Sequence, residues 1–227
     1  SERRISVLVT IIGDVHGKVN EYKQIVSTKE HSIQIGDFGF YREWCWLYNS
    51  DISPENHKII GGNHDDYETA PNIPHYMGDY GVHSHGTLDF FYVRGAYSID
   101  QEFRTRGLSW WPEEELLYSD FNNRVYPNYV TENKDIVITH DAPSDIYYSL
   151  GCSDVKGLTA HGLSTLFNVH QPKLWIFGHH HKNWMLDFKG TLFICLDELS
   201  TIDYDETLTL ERNIELIKDQ MKIKMMG

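Results

Sequence analysis

Short apolar runs at residues 7–12, 32–35, 58–60, 136–139 and 174–177 alternate with polar stretches whose composition suits helices. That alternation predicts strands joined through helices, hence an α/β fold. Every run stops at a cluster of Gly, His, Asp or Asn: Gly13-Asp14, Gly36-Asp37, Gly61-Gly62-Asn63-His64-Asp65, His140-Asp141 and Gly178-His179-His180-His181. Strands that end in such loops gather a site at the carboxyl edge of an α/β sheet. Two other stretches read as hairpins. Residues 88–94 are rich in aromatic and β-branched side chains, and within 184–196 Lys189-Gly190 separates two alternating runs. Pro112-Glu113-Glu114-Glu115 reads as a helix start, with Pro in the first turn and acids near the positive dipole end. Ile214, Ile217 and Met221 recur at helical spacing and predict an amphipathic closing helix over 211–226. No repeat, low-complexity segment or linker interrupts the chain, so residues 1–227 are expected to form a single domain.

The chain has 227 residues, 41% hydrophobic and 23% charged, enough for a sizeable core. Its formal net charge is -13, from 33 acidic and 20 basic residues. Such a chain repels polyphosphate backbones, so non-specific nucleic-acid binding is not expected. A small phosphorylated molecule or nucleotide held at bound cations remains compatible with that charge. Cys45, Cys152 and Cys195 have an odd count and no metal-type spacing, which points to a reducing compartment. Arg3 and Arg4 precede an apolar stretch that begins at residue 5 and superficially suggests a signal peptide. The stretch is short, lacks a small-residue cleavage site and runs into Gly13-Asp14-Val15-His16, so it reads as a buried first strand. No segment is long and apolar enough to span a bilayer, and a cytoplasmic protein without membrane partners is expected.

The chemistry lies at the strand ends. Divalent first-row metals accept imidazole and carboxylate together, and hydrolytic sites often hold two such ions ~3.5–4 Å apart. Asp14-Val15-His16 places two ligand types at i and i+2, where an extended backbone would point both side chains the same way. His179 and His181 repeat the spacing, with His180 facing away between them. Asp37, Asn63 and His140 follow three further runs, which brings the set to seven oxygen or nitrogen ligands.

Gly13-Asp14-Val15-His16-Gly17, Gly36-Asp37, Gly62-Asn63-His64-Asp65, Thr139-His140 and Gly178-His179-His180-His181 resemble, in order and spacing, the five blocks of the calcineurin-like metallophosphoesterase superfamily. The segments from Arg94 to Asp100 and from Ser109 to Leu116 are similar to small phage and bacterial members. The resemblance implies a β-sandwich of mixed sheets flanked by helices, with metals at the C-terminal ends of the strands. It implies that Asp14, His16 and His181 hold one metal, that Asn63, His140 and His179 hold another, and that Asp37 bridges them. The two divalent ions are expected to be Mn²⁺, with Fe, Ni or Zn as alternatives. A hydroxide shared by the ions would attack phosphorus in line. His64 would protonate the leaving oxygen, with Asp65 orienting its ring.

One departure concerns substrate capture. Superfamily protein phosphatases follow Gly-Asp with a spacer and then Asp-Arg-Gly, whose Arg clamps phosphate. Here Phe38-Gly39-Phe40-Tyr41-Arg42-Glu43 shifts the Arg by one position and lacks the Gly, which weakens the phosphoprotein reading. Arg42, Arg104 and Arg106 are the candidate clamps, Arg104 first, with Asn63 also facing the substrate.

Other features have ordinary readings. His31, His57, His75, His161 and His170 lie outside every block, and His83-Ser84-His85 fits a hairpin edge. Trp110-Trp111 reads as an aromatic anchor before it reads as a stacking platform. Cys45 reads as a small buried residue. The expected function is hydrolysis of phosphomonoesters or phosphodiesters. The alternatives are a serine/threonine phosphoprotein phosphatase and a non-catalytic scaffold on the same fold, the latter disfavoured by the full ligand set.

Overall fold

A computed structural model describes residues 7–227. Arg3, Arg4 and the opening of the first apolar stretch lie outside the described residues. Strict alternation along β1 (Leu8–Ile12) sets the layering. Val9 and Ile11 turn towards a core between two sheets, and Ile12 turns to the opposite face. Thr10, on that same outer face, hydrogen-bonds Asp203 at 2.6 Å.

β1 pairs in parallel with β2 (His31–Gln34), which pairs in parallel with β3 (His57–Ile59). The remaining strands are β4 (Tyr80–His85), β5 (Leu88–Val93), β6 (Ile136–Thr139), β7 (Leu174–Phe177), β8 (Trp184–Phe188), β9 (Thr191–Cys195) and β10 (Thr201–Asp205). One sheet has the order β10-β1-β2-β3 and the other β4-β5-β6-β7-β9-β8. β5, β6, β7 and β9 run parallel, while β4, β8 and β10 are antiparallel edges. Both sheets are therefore mixed, as expected from the sequence.

The two sheets share one apolar core, with Val9, Ile11, Ile33 and Ile35 facing Phe90, Ile138, Ile176 and Ile194. Helices α1 (Val19–Val26) and α2 (Tyr41–Tyr48) cover the smaller sheet through Tyr22, Trp44 and Leu47. On the larger sheet, the turn α3 (Tyr118–Asp120) passes through a π-helical stretch, Phe121–Val125, into α4 (Tyr126–Glu132). With α5 (Leu158–Val169) these residues pack Tyr129, Leu163 and Phe167 against Phe91, Trp175 and Phe193. α6 (Leu210–Met225) closes the inter-sheet core with Ile217 and Met221. Among the described residues no helix is long and apolar enough to cross a membrane.

One sequence expectation changes. Lys189 and Gly190 do turn the β8–β9 hairpin, both with positive φ, but residues 112–115 do not start a helix. They form a single 3-10 turn, Pro112–Glu114, because the acids serve other segments. Glu114 accepts from Ser98, and Glu115 accepts from the amide and hydroxyl of Thr159 at the start of α5 (2.6 and 2.8 Å).

The loops after β2 and β3 are locked together by Asp65, whose side chain is fully buried. Its Oδ2 accepts from the amides of Asp37 (2.9 Å) and Gly62 (2.6 Å), and its Oδ1 from those of Phe38 (2.9 Å) and Gly39 (3.1 Å). Asp65→Asn replaces one acceptor oxygen with a donor and leaves two of these amides facing an NH₂ group. A loss of roughly 1–3 kcal/mol per unsatisfied donor is expected in urea unfolding of metal-free protein. Wild-type stability in that variant would show that the clamp contributes nothing.

Candidate metal centre

The parallel strands of both sheets direct their carboxyl ends to one place. Asp14 and His16 follow β1, Asp37 follows β2, Asn63 and His64 follow β3, His140 follows β6, and His179 and His181 follow β7. Two groups result, Asp14–His16–His181 and Asp37–His140–His179, each with ligand atoms within 4.8 Å of one another. His16 Nε2 lies 3.4 Å from Asp14 Oδ2 and 3.6 Å from Asp37 Oδ2. His140 Nε2 lies 3.3 Å from Asp37 Oδ1 and 3.1 Å from Asn63 Oδ1. Asp37 thus reaches both groups, one oxygen towards each.

The donor atoms fit cations. Asp14 Oδ2, His16 Nε2 and Asp37 Oδ2 are buried and have no hydrogen-bond partner. Three buried polar atoms without hydrogen-bond partners are costly in a protein interior unless a cation or water meets them. Glycines make the room: a Cβ on Gly178 would sit 2.5 Å from Asp14 Oδ1, and one on Gly62 would sit 2.3 Å from Asp37 Oδ1. On the far side of its ring, His140 Nδ1 donates to the Ile35 carbonyl at 2.9 Å, leaving Nε2 as the outward atom.

The backbone differs from the extended arrangement that the i, i+2 spacing predicts. His16, Asp37, His179 and His181 all have positive φ, between 48 and 65°. Such residues are uncommon outside glycine and cost on the order of 1–3 kcal/mol each. They account for four of the seven non-glycine positive-φ residues among those described. The bend has a visible cause: the amides of Val15 and His16 both donate to the Asp37 carbonyl (3.0 and 2.7 Å), curling the first loop round the second. His180 does turn away, donating to Asp141 (3.2 Å) and packing edge-on against Tyr147.

Electrostatics favour positive charge here. Burial works against an ionised Asp37, but the imidazoles of His140, His64 and His16 outweigh it and hold the carboxyl well below its usual range. Burial likewise opposes a charged His140, yet Asp37 and Asp14 push that ring up to about 10. The potential that retains a proton on His140 would also favour a metal ion among these atoms. His179 goes the other way: burial takes it down to about 4, so its lone pair stays free to bind a cation.

His64 faces outward from this cluster. Its Nε2 lies 3.2 Å from Asn63 Nδ2 and 3.5 Å from Arg104 Nη2. Burial lowers the imidazole, Asp37 raises it and Arg104 lowers it, with a net value below the ordinary one. Asp65 does not orient the ring as the sequence suggests; all its recorded bonds go to backbone amides, and His64 Nδ1 is buried without a partner. Adjacent residues in this tight turn face opposite ways, which separates the expected pair.

Arg104 is held by Asp100 (2.7 and 2.8 Å) and the Ser109 carbonyl (3.2 Å). It lines a cleft with His16, Phe40, Glu43, His64 and His181. Arg42 and Arg106 are exposed and do not line this cleft. Trp111 is buried and packs on Phe40, the anchor role expected of it. A second cleft opens across His64 and His181, lined by Tyr97, Ile99, Tyr147 and Lys156. Sequence reasoning missed Ser98 and Glu114, which back Asn63. Both fall inside the segment flagged for similarity to small relatives, but nothing in their spacing marks them.

A sequence profile described as calcineurin-like phosphoesterase matches residues 7–183. A search of curated proteins finds no match. Among solved structures, GAP50, the anchor in the inner membrane complex of Plasmodium, is 14% identical, with 85% of this chain and 71% of that chain covered and a TM-score of 0.48. The phosphopantetheinyl hydrolase from Mycobacterium tuberculosis is 12% identical, with 86% and 91% covered and a TM-score of 0.42. Vps29 from Chaetomium thermophilum is 10% identical, with 86% and 73% covered and a TM-score of 0.40. At these scores the structures carry no functional argument, and the assignment rests on the profile, which spans well over half of the sequence. The chain belongs to the calcineurin-like phosphoesterase family.

Proposed function

We propose that this protein hydrolyses phosphate esters of small molecules or nucleotides with two divalent cations, Mn²⁺ foremost. The observation that carries this reading is Asp37, which reaches both ligand groups while the buried atoms around it lack partners. Asp14, His16 and His181 would hold one cation, and Asn63, His140 and His179 the other. Two such ions, when bound, lower the pKa of coordinated water and neutralise charge on phosphate oxygens.

The remaining work falls to the chain's own side chains. Arg104, which lines the first cleft and pairs with Asp100, would hold the outward phosphate oxygens with a planar, two-pronged donor. His64, which lines both clefts, would deliver a proton to the leaving oxygen. With a cleft on either side of His64, diesters as well as monoesters would be substrates.

Chelator-treated protein should lose turnover of an aryl phosphate and regain it with added Mn²⁺. Full activity in protein shown to be metal-free, or none with metal restored, would overturn the reading; the second result would favour a scaffold. His64→Ala should leave metal content unchanged and slow turnover by roughly 10²–10⁴-fold, less for nitrophenolate than for poor leaving groups. An equal loss for both leaving groups would remove His64 from the proton-transfer role.

Arg104→Ala should lower kcat/KM by about 10- to 100-fold, the worth of a charge-assisted hydrogen bond, with metal content intact. Arg104→Lys should restore little of it, since a point charge cannot reproduce the fork. Wild-type kinetics in Arg104→Ala would move the clamp elsewhere.

A further inference from the structure

Asn63 differs from the other proposed ligands in one respect: its two terminal atoms have opposite character. Oδ1 can hold a cation, whereas Nδ2 presents hydrogens that would repel one. The orientation of a single amide therefore decides whether the second cation has its full ligand set. We propose that Ser98 and Glu114 are positioning residues that lock this amide with Oδ1 towards His140 and the second cation. The inference rests on the two-cation reading and adds to it a device for orienting one ligand.

The argument follows the hydrogens. Glu114 is 3% exposed, and its carboxylate takes both polar groups of Ser98, the amide on Oε1 at 2.9 Å and the hydroxyl on Oε2 at 2.5 Å. A serine hydroxyl has one hydrogen. With that hydrogen committed to Glu114, Ser98 Oγ can only accept from Asn63, which lies 2.9 Å away. Asn63 must then present Nδ2 to Ser98. His64 Nε2 lies 3.2 Å from the same Nδ2 and, in the tautomer that carries its proton on Nδ1, makes the same demand. Oδ1 is left facing His140 Nε2 at 3.1 Å.

Glu114 is itself fixed by the chain around it. Its carbonyl accepts from the Ala96 amide (3.2 Å), while the Gly95 amide donates to the Gly61 carbonyl (2.8 Å) in the loop that carries Asn63. Gly95 has φ +89°, and a Cβ there would lie 2.2 Å from the Glu114 carbonyl oxygen. Residues 95–98 are thus stitched between the β3 loop and the turn at Pro112–Glu114.

A purely structural reading holds that Glu114 only fastens this stitch. Ser98→Ala separates the two, because it keeps the Ser98 amide bond to Glu114 and removes only the hydroxyl. Metal-free protein is titrated with Mn²⁺ by calorimetry. The parent should bind two equivalents, and Ser98→Ala should weaken one of them by roughly 10–100-fold, the usual cost of losing an outer partner of a ligand. The other equivalent should stay at its parent value; the melting temperature of the metal-free protein falls under either reading, because Glu114 Oε2 loses a donor, and does not separate them. Glu114→Gln should weaken the same equivalent, since its NH₂ can donate to Ser98 Oγ and release the hydroxyl hydrogen towards Asn63. Parent affinity for both equivalents in Ser98→Ala would overturn the lock, as would equal weakening of both. A parent that binds fewer than two Mn²⁺ would instead overturn the two-cation reading beneath it.

Discussion

The structure depends first on one buried carboxylate receiving four backbone N–H groups. Asp65 collects amides from both loops that close the β2–β3 end of the small sheet. A buried carboxylate is expensive unless its lone pairs are filled, and charge-assisted bonds from amides fill them without importing another charge. The result joins Asp37 and Asn63 into one rigid unit. The His64 amide, donating to Asp37 Oδ1 at 2.8 Å, ties them again. The first loop then folds onto this unit through the Asp37 carbonyl, so the position of His16 is inherited from the clamp. Remove the clamp and three strand ends lose their common frame.

What the sequence makes legible follows from where the strands lie. β1, β6 and β7 are covered on both faces, so they read as continuous apolar runs, and the polar clusters just beyond them stand out. β4 is legible only in part, as a hairpin edge at His83-Ser84-His85, because Tyr80–His85 is an edge strand with a glycine, two histidines and half-exposed positions. β10 alternates too briefly, over Thr201–Asp205, to be separated from its polar surroundings. The ligand types were readable from their motifs; their backbone conformation was not. No local signal tells a histidine to adopt positive φ, because tertiary hydrogen bonds impose it. The same holds for Asp65, whose neighbour in sequence is His64 but whose partners lie on another loop. Glu114 looked like a helix start because helix starts and buried carboxylates draw on the same residue.

The site concentrates what a stable fold usually avoids. Four proposed ligands have strained backbone, and three of the polar atoms that the proposed ligands offer are buried without partners. Local rules broken together at one place mark a site shaped by something other than folding stability. Under the two-cation reading the compensation is plain, since cations would meet the orphan atoms and offset clustered negative charge. Binding energy at such a site is also folding energy, because the unfolded chain cannot assemble it.

The middle segment shows a different balance. Between Arg94 and Leu116 the chain forms two short 3-10 turns and a single bridge between Arg106 and Trp110, and Ile99, Phe103 and Leu108 are 82%, 90% and 71% exposed. Apolar burial therefore does little to hold it until Trp111 and Leu116. Polar anchors do the holding instead. Arg94 bonds Asp79 and the Glu113 carbonyl and stacks 4.2 Å over Tyr67, Arg104 pairs with Asp100, and Ser98 pairs with Glu114. Directional bonds fix the angles of side chains more sharply than apolar contacts do, at the expense of tolerance to substitution. A long irregular connection beside a strand-end cluster is where binding groups are expected. Its anchoring by hydrogen bonds explains how an otherwise loose segment could present an arginine and an asparagine lock with the accuracy that a two-cation site demands.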